Sequence, residues 1–422
     1  MSERTATTDR LDDSEAGIDP ITGRSATTLQ GTLLLICSCL PVLGAVLLAP
    51  ILPTLSQVFA STAGADALVP LVLTVPALMI AIIAPFAGSI VDRMGRKRLL
   101  VGALVIYAVL GTAPLYLDTL GAILLSRVGV GIAEAAIITC CTTLLADYFR
   151  GRRRDRYFGM QTVVTSLAAT LFIVVGGILG SGGWRTPFWI YAISLLIAIP
   201  VALLVWAPKP AHSTNPVRVK LSPIPWRLLA LPCAVTVFGG IVFYSLIVEL
   251  PYVLAGLGVS DPAVIGLGSA VVSLATAAGA ISFRWLARRG VRTLLCLAFG
   301  LAAVGLVIVW FASSVPIAII GSMVTSLGTG ILLPTLLTWA VSHLSFEQRG
   351  RGTGRWTACL FFGQFASPLI LLAIGAQAGG LQPALGILGV ASAVVAIAVG
   401  LVLARSATAS ARTTADASAA AH

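Results

Sequence analysis

Residues 88–98 read Gly88-Ser89-Ile90-Val91-Asp92-Arg93-Met94-Gly95-Arg96-Lys97-Arg98. Four of these residues are basic and one is acidic, and long apolar runs, about 67–91 and 98–117, lie on either side. About 20 apolar residues cross the roughly 30 Å hydrocarbon core of a bilayer as a helix. The stretch therefore reads as a charged turn joining two membrane-spanning helices. Gly95 supplies a tight turn, and Gly88 leaves room for a neighbouring helix to approach. Asp92 sits among cations with which it can pair. Such a cluster can latch one arrangement of helices and release it in another, so Gly88, Asp92, Arg93, Gly95, Arg96 and Lys97 are read as a conformational gate.

The rest of the chain repeats that pattern. Its 422 residues are 58% hydrophobic and 10% charged, with mean hydropathy +0.99. Soluble domains run about 45–50% apolar and about 25% charged, and disorder needs few apolar residues and much charge. Both classes are excluded. Twelve apolar spans follow one another, at about 29–52, 67–91, 98–117, 120–147, 157–181, 186–207, 228–251, 262–286, 292–312, 315–342, 356–377 and 382–404. The fold class expected is an all-α membrane protein with twelve transmembrane helices in two pseudo-symmetric six-helix bundles. Its parts are a disordered acidic N-tail (1–28), a first bundle (29–207), a linker (208–227), a second bundle (228–404) and a C-tail (405–422). The N-tail does not open with the positive charge and short apolar core of a signal peptide.

Orientation follows from the basic residues, which concentrate in cytoplasmic loops. With the N-terminus in the cytoplasm, 25 of the 27 Lys and Arg fall on the cytoplasmic side. Arg185 falls outside and Arg127 lies within a span. Both termini are expected in the cytoplasm, with the chain multi-pass in a bacterial inner (plasma) membrane. The net charge of +11 thus reports membrane topology and not nucleic-acid binding. An offset of 195 residues aligns Gly95-Arg96-Lys97-Arg98-Leu99-Leu100 with Gly290-Val291-Arg292-Thr293-Leu294-Leu295, and Arg154, Arg156 and Gly159 with Arg349, Arg351 and Gly354. Two loops sharing one offset point to duplicated halves, an arrangement found in transporters.

The fourth span holds two charges, Arg127 and Glu134. A charge at the bilayer centre costs roughly 2.5–3.5 kcal/mol on insertion scales and needs a reason to be there. Seven residues is nearly two helical turns, so the pair shares a face about 10 Å apart along the axis. That is too far for an i,i+4 contact. A carboxyl at this depth is caught between desolvation, which favours the neutral acid, and a nearby guanidinium, which favours the anion. Glu134 and Arg127 are therefore read as a proton-coupling pair, with a static buried ion pair as the plainer alternative. Glu249, near the end of span seven, has two readings: it binds a cation or proton, or it reaches the membrane interface. Polar residues inside spans are candidate substrate contacts, namely Gln161, Thr165, Tyr244, Glu249, Trp339 and Gln364. Each is as well suited to an interhelical contact. Asp66, Asp118 and Asp261 read as solvated charges or helix caps, and Asp147 as a partner for the Arg cluster at 150–156.

The seven cysteines all fall in apolar spans and read as packing residues. No Gly-Lys-Ser/Thr phosphate loop, HExxH pair or nucleophile elbow is present. No metal, cofactor or catalytic residue is expected, and the protein is read as not an enzyme. The expected partners are a small-molecule substrate, a proton and the lipid bilayer, with no nucleic acid.

The 88–98 loop, Arg127-Val128-Gly129-Val130-Gly131 in span four and Trp184-Arg185-Thr186-Pro187-Phe188 at the start of span six together resemble the major facilitator superfamily, over about residues 29–404. The second-half loop keeps Arg288, Arg289 and Gly290 without the first glycine and the Asp. Antiporters of that superfamily often carry Gly-Pro four residues before a Gly-Gly in helix five; here Gly176-Gly177 is preceded by Phe172-Ile173. The resemblance implies the major facilitator fold, working as a monomer by alternating access of two halves around a central cavity. The leading expectation is proton-coupled efflux of a drug or metabolite. The alternatives are an importer or facilitative uniporter of the same fold, or, from another class, an integral membrane enzyme or sensor.

Overall fold

The apolar runs have no water to satisfy their backbone, so each closes its hydrogen bonds within itself as a helix. The computed structural model describes residues 25–206, 226–342, 344–345 and 348–419, without the side chains of Asp92, Arg227 and residues from 405 onward. Most of the N-tail and linker read from sequence therefore lie outside the described residues. The crossing helices are α1 (Thr28–Val58), α2 (Ala65–Ile83), α3 (Arg96–Leu115), α4 (Leu120–Tyr148), α5 (Gly151–Ser181) and α6 (Thr186–Leu204). They continue with α7 (Trp226–Gly256), α8 (Pro262–Leu286), α9 (Gly290–Trp310), α10 (Val315–Ser342), α11 (Arg349–Ala378) and α12 (Leu381–Ala419). The last of these carries helix on through the segment read as a C-tail.

By length and apolarity eleven described segments are fit to cross a membrane, the longest of them Pro262–Trp310 with 49 residues. That length serves two crossings. It is cut by a 3-10 turn at Ala287–Arg289 and by Gly290 at φ +79°, which separates α8 from α9 and makes twelve. Gly95, 195 residues earlier, has φ +82° and separates a short helix, Ala87–Met94, from α3. A side chain is strained at such angles, so glycine is what lets both turns form. The outward faces are apolar: on α6, Leu196 is 67% and Leu203 76% exposed. A water-facing helix would carry polar residues there.

Contacts divide the chain into two units. Unit 1 is residues 1–223 with 261–267, and unit 2 is residues 224–260 with 268–422. Within unit 1, α4 packs on α1, α2 and α3, while α1 packs on α5 and α3 on α6. Within unit 2 the same order recurs: α10 on α7 and α9, α7 on α11, and α9 on α12. Gly279 of α8 meets the Leu327 carbonyl, and Gly330 of α10 the Thr276 carbonyl, completing the parallel with α2 and α4.

The duplication reaches individual side chains. The buried residues of α3, Leu100, Ala103, Leu104, Tyr107, Ala108 and Gly111, have buried counterparts 195 positions on in Leu295, Ala298, Phe299, Ala302, Ala303 and Leu306. From Ile123 to Leu145, every buried residue of α4 has a buried counterpart at the same offset in α10, from Ala318 to Ala340. Helix faces are set by period 3.6, so a shared offset preserves which face turns inward.

Candidate functional site: a charged cluster inside unit 1

Two loops fasten the frame around α4. Thr119 caps its N-terminus by accepting a hydrogen bond from the Ala122 N–H at 3.4 Å. At its other end the Tyr148 hydroxyl donates to the Trp206 carbonyl at 2.6 Å and accepts from the Trp206 N–H at 2.9 Å, with the rings stacked 4.4 Å apart. The end of α4 is thereby pinned to the end of α6.

Between these anchors Arg127 is 0% and Glu134 1% exposed. The Arg127 guanidinium donates from Nε to the Val72 carbonyl of α2 at 3.2 Å and from Nη2 to the Tyr191 hydroxyl of α6 at 2.7 Å. It also lies over the Tyr191 ring, 4.9 Å from its centroid. The Val72 carbonyl has no N–H to meet within its own helix, because the residue four positions on is Pro76. A proline in the sequence thus prepares an acceptor for a buried cation. Glu134 lies against Gly44 of α1, where a Cβ would collide with its carboxylate. The Tyr107 hydroxyl borders the same spot and donates to the Leu40 carbonyl at 2.6 Å. The Tyr107 and Tyr191 rings are 5.1 Å apart.

Arg127 and Glu134 do not form an ion pair. Arg127 Nη1 and Glu134 Oε1 each lack a hydrogen-bond partner. A satisfied static pair would leave neither atom open, since buried polar groups are nearly always bonded. Two charges joined through two phenol rings, each with one unmatched atom, form a site that can rearrange. Tyr107, Tyr191 and Gly44 were not among the sequence candidates. A tyrosine in mid-span needs a partner for its hydroxyl, and that signal was available for both tyrosines.

In the 88–98 loop, Arg96 forms an ion pair with Asp147 at the end of α4. This corrects the pairing of Asp147 with the 150–156 cluster: the turn at Gly95 brings Arg96 to it first. Gly88 meets nothing within 4 Å of where a Cβ would stand, so it does not serve close helix approach. Arg93 is exposed and Lys97 half-buried, while the side chain of Asp92 lies outside the described residues. At the opposite end of the helices Arg185 pairs with Asp118 at 2.5 Å. Asp261 accepts from the Ser181 hydroxyl at 2.6 Å and from the Ala263 N–H at 2.9 Å. Those two donors hold its carboxyl below the usual carboxylate range.

The substrate candidates divide between units. In unit 1 Gln161 donates to the Ser38 hydroxyl of α1 at 2.8 Å, and Thr165 donates back to the Gln161 carbonyl at 2.7 Å. Both are α5 residues, Gln161 in an interhelical contact and Thr165 in a bond within its own helix. In unit 2 Tyr244, Glu249 and Gln364 are buried. Trp339 sits in an apolar cluster with Leu229, Leu336, Trp356 and Leu360, a packing position. Glu249 is 6% exposed, so it is enclosed by protein and does not reach the interface. Among the described residues no group of three or more His, Cys, Asp or Glu is arranged to hold a metal.

The family model of the Major Facilitator Superfamily matches residues 34–260 and 230–421. The tetracycline resistance protein, class H, of Pasteurella multocida is 30% identical over 177 residues, 41% of this chain and 43% of that protein. The quinolone resistance protein NorA of Staphylococcus aureus (strain MRSA252) is 25% identical over 198 residues, 46% of this chain and 50% of that protein. The chain thus spans about half the length of the curated relatives it matches. Among solved structures, a bacterial homolog of the human lysosomal transporter Spinster, inward-facing and unoccupied, aligns with TM-score 0.71 at 15% identity, over 90% of this chain and 97% of that one. A D-xylose-proton symporter aligns with TM-score 0.72 at 14% identity, over 87% and 96%.

Proposed function

The chain belongs to the Major Facilitator Superfamily, a family of transporters and not enzymes, and on that footing we propose that it is a secondary active transporter exporting a small organic molecule in exchange for protons. It sits in the bacterial plasma membrane with both termini in the cytoplasm and works by alternating access as a monomer. The observation that carries the reading is the Arg127–Tyr191–Tyr107–Glu134 cluster, in which both charges are enclosed and neither is fully matched. Glu134 takes and releases the proton. Arg127 stabilises the anion when the cluster rearranges to bring them together and withdraws when Tyr191 holds it. The Arg96–Asp147 pair, with Asp92, Arg93 and Lys97, links that event to the opening of the Arg-rich end. Gln161, Tyr244, Glu249 and Gln364 supply polar contacts for the substrate. Export is favoured over import by the relatives named for resistance to tetracycline and to quinolones.

Purified protein is first screened by thermal shift against drugs and metabolites, starting with tetracycline and a quinolone. A compound that stabilises it is then followed in proteoliposomes under an imposed pH gradient. The reading expects flux driven by the gradient, and Glu134→Gln that loses gradient-driven flux while keeping substrate exchange. Flux indifferent to the gradient sinks proton coupling and leaves facilitated diffusion. Full coupling in Glu134→Gln removes that residue from the role.

A further inference from the structure

Two pairs of thiols touch across helices. Cys37 of α1 meets Cys141 of α4 in unit 1, and Cys233 of α7 meets Cys359 of α11 in unit 2, each pair within hydrogen-bond reach. All of these cysteines are free thiols. The first pair is sealed, with both residues 0% exposed. The second is accessible, with Cys233 7% exposed and Cys359 half-buried.

The backbones around the second pair are close-set. Three contacts between α7 and α11 share one register, each joining residues 126 positions apart: Cys233 with Cys359, Val237 with Gly363, and Ile241 with Ser367. A Cβ at Gly363 would strike the Val237 carbonyl, and the Ser367 hydroxyl donates to the Ile241 carbonyl at 2.9 Å. Steps of four residues on both helices mean that the two run parallel and that these residues line one seam. Cys359, Gly363 and Ser367 are all small, which lets the backbones approach there. A disulfide needs α-carbons about 4.4–6.8 Å apart. Helices whose backbones touch one turn away bring two facing cysteines within that reach.

The fold does not require sulfur at this seam. The positions 195 residues earlier hold Ser38 and Val164, and the Ser38 hydroxyl accepts from Gln161 of α5 at 2.8 Å. The first and fifth helices of unit 1 are thus joined there without a thiol pair. A charge is also at hand in unit 2. Arg355 lies one turn before Cys359 on the same face of α11 and close enough to Cys233 for a charge interaction. Its guanidinium stands over the Trp226 ring, 4.9 Å from the centroid. Its Nη1 has no hydrogen-bond partner among the described residues. The thiolate is the reacting form of cysteine, and reactive thiols sit beside such cations.

We propose that Cys233 and Cys359 are a modification site, a dithiol that hydrogen peroxide converts reversibly into a disulfide clasping α7 to α11. The Cys359 sulfur attacks one peroxide oxygen, giving a sulfenic acid and one water. The Cys233 sulfur then attacks that sulfur and forms the S–S bond, and its proton leaves with the hydroxyl as a second water. Two electrons pass from the two thiols to the peroxide. Peroxide is small and uncharged, so a half-buried thiol within a span is open to it. The proposal depends neither on what the chain transports nor on any role for Glu134.

The test treats the purified full chain in nanodiscs with graded hydrogen peroxide, alkylates the remaining thiols and maps peptides by mass spectrometry without reduction. The expected product is one peptide pair joined through Cys233 and Cys359 and lighter by two hydrogen atoms, with Cys37 and Cys141 still alkylatable after unfolding. Dithiothreitol restores both thiols. The oxidised chain melts several degrees above the reduced one, because the clasp restricts the unfolded chain. Cys233→Ser yields no linked peptide, leaves Cys359 as a sulfenic acid trapped by dimedone, and loses the rise in melting temperature. A wild-type chain that forms no Cys233–Cys359 link overturns the proposal, as does one that links Cys37 to Cys141 first. Should the variant fail to fold, a time course on the wild-type chain decides. Sulfenic acid at Cys359 that appears early and decays into the link supports the site, and sulfenic acid that persists overturns it.

Discussion

The two units place buried side chains at the same positions and fill them with different chemistry. Where unit 1 has Arg127, Glu134, Tyr107 and Tyr191, unit 2 has Ser322, Thr329, Ala302 and Gly386, each 195 residues on and each buried. Ser322 donates to the Ala318 carbonyl at 2.7 Å and Thr329 to the Ser326 carbonyl at 3.1 Å. These hydroxyls are satisfied within their own helix. At Gly386 a Cβ would strike the Trp310 ring, so an indole from α9 occupies the ground that corresponds to the Tyr191 ring. The lesson is that fold and buried pattern are properties of the repeat, while charge was placed in one copy. The second copy closes with small residues and short backbone approaches, as at Gly305 against Gly321. Among the described residues its one buried charged side chain is Glu249 of α7, and no ion pair there reaches it.

The largest effect comes from forcing unit 2 to imitate unit 1. Thr329→Glu puts a carboxyl where no arginine or tyrosine waits for it. It should destabilise by roughly 2.5–3.5 kcal/mol, read as a sharp fall in membrane-inserted, monodisperse protein. If its yield and melting temperature match wild type, the two units are chemically more alike than their side chains indicate. Next is Tyr191→Phe, which removes an acceptor from a fully buried cation. Hydrogen bonds to charged groups are worth about 1.5–3 kcal/mol, so thermal melting should drop by several degrees and gradient-driven flux should fall. An unchanged melt means Arg127 finds another acceptor.

Gly44→Ala sharpens the comparison more gently. Its methyl must displace the tip of the Glu134 side chain, and overpacking on this scale costs about 1 kcal/mol. Flux should suffer more than stability, because the carboxyl moves while the helices stay. The smallest effect belongs to Asp261→Asn. Because the folded carboxyl is held below its usual range, its stabilisation is present above the ordinary carboxylate pKa and lost as pH falls through the depressed value. At pH 7.5 the variant should melt about 1 °C lower than wild type, and the gap should close on acidification. A gap that widens in acid contradicts the assignment.

Much of this was legible in the order of residues. Twelve spans could be counted because bilayer thickness sets helix length. The repeat could be seen because Gly95 and Gly290 answer the same demand for a left-handed turn. Arg127 and Glu134 stood out because charge in a span is costly. What residue order could not reveal was partnership. Arg96 reaches Asp147 because of the angle the chain takes after Gly95. Gly88, chosen for a packing role, faces open space. Trp339, chosen as a contact, belongs to an apolar cluster.

Hydropathy and turn chemistry act over a few residues, so sequence alone determined the membrane class, the helix count and the duplication. Burial and pairing join residues tens of positions apart, as with Arg127 and Tyr191, or Tyr107 and Leu40. They depend on which helix faces meet, so only the tertiary structure decided that Tyr191 holds the Arg127 guanidinium and that, among the described residues, no ion pair reaches Glu249.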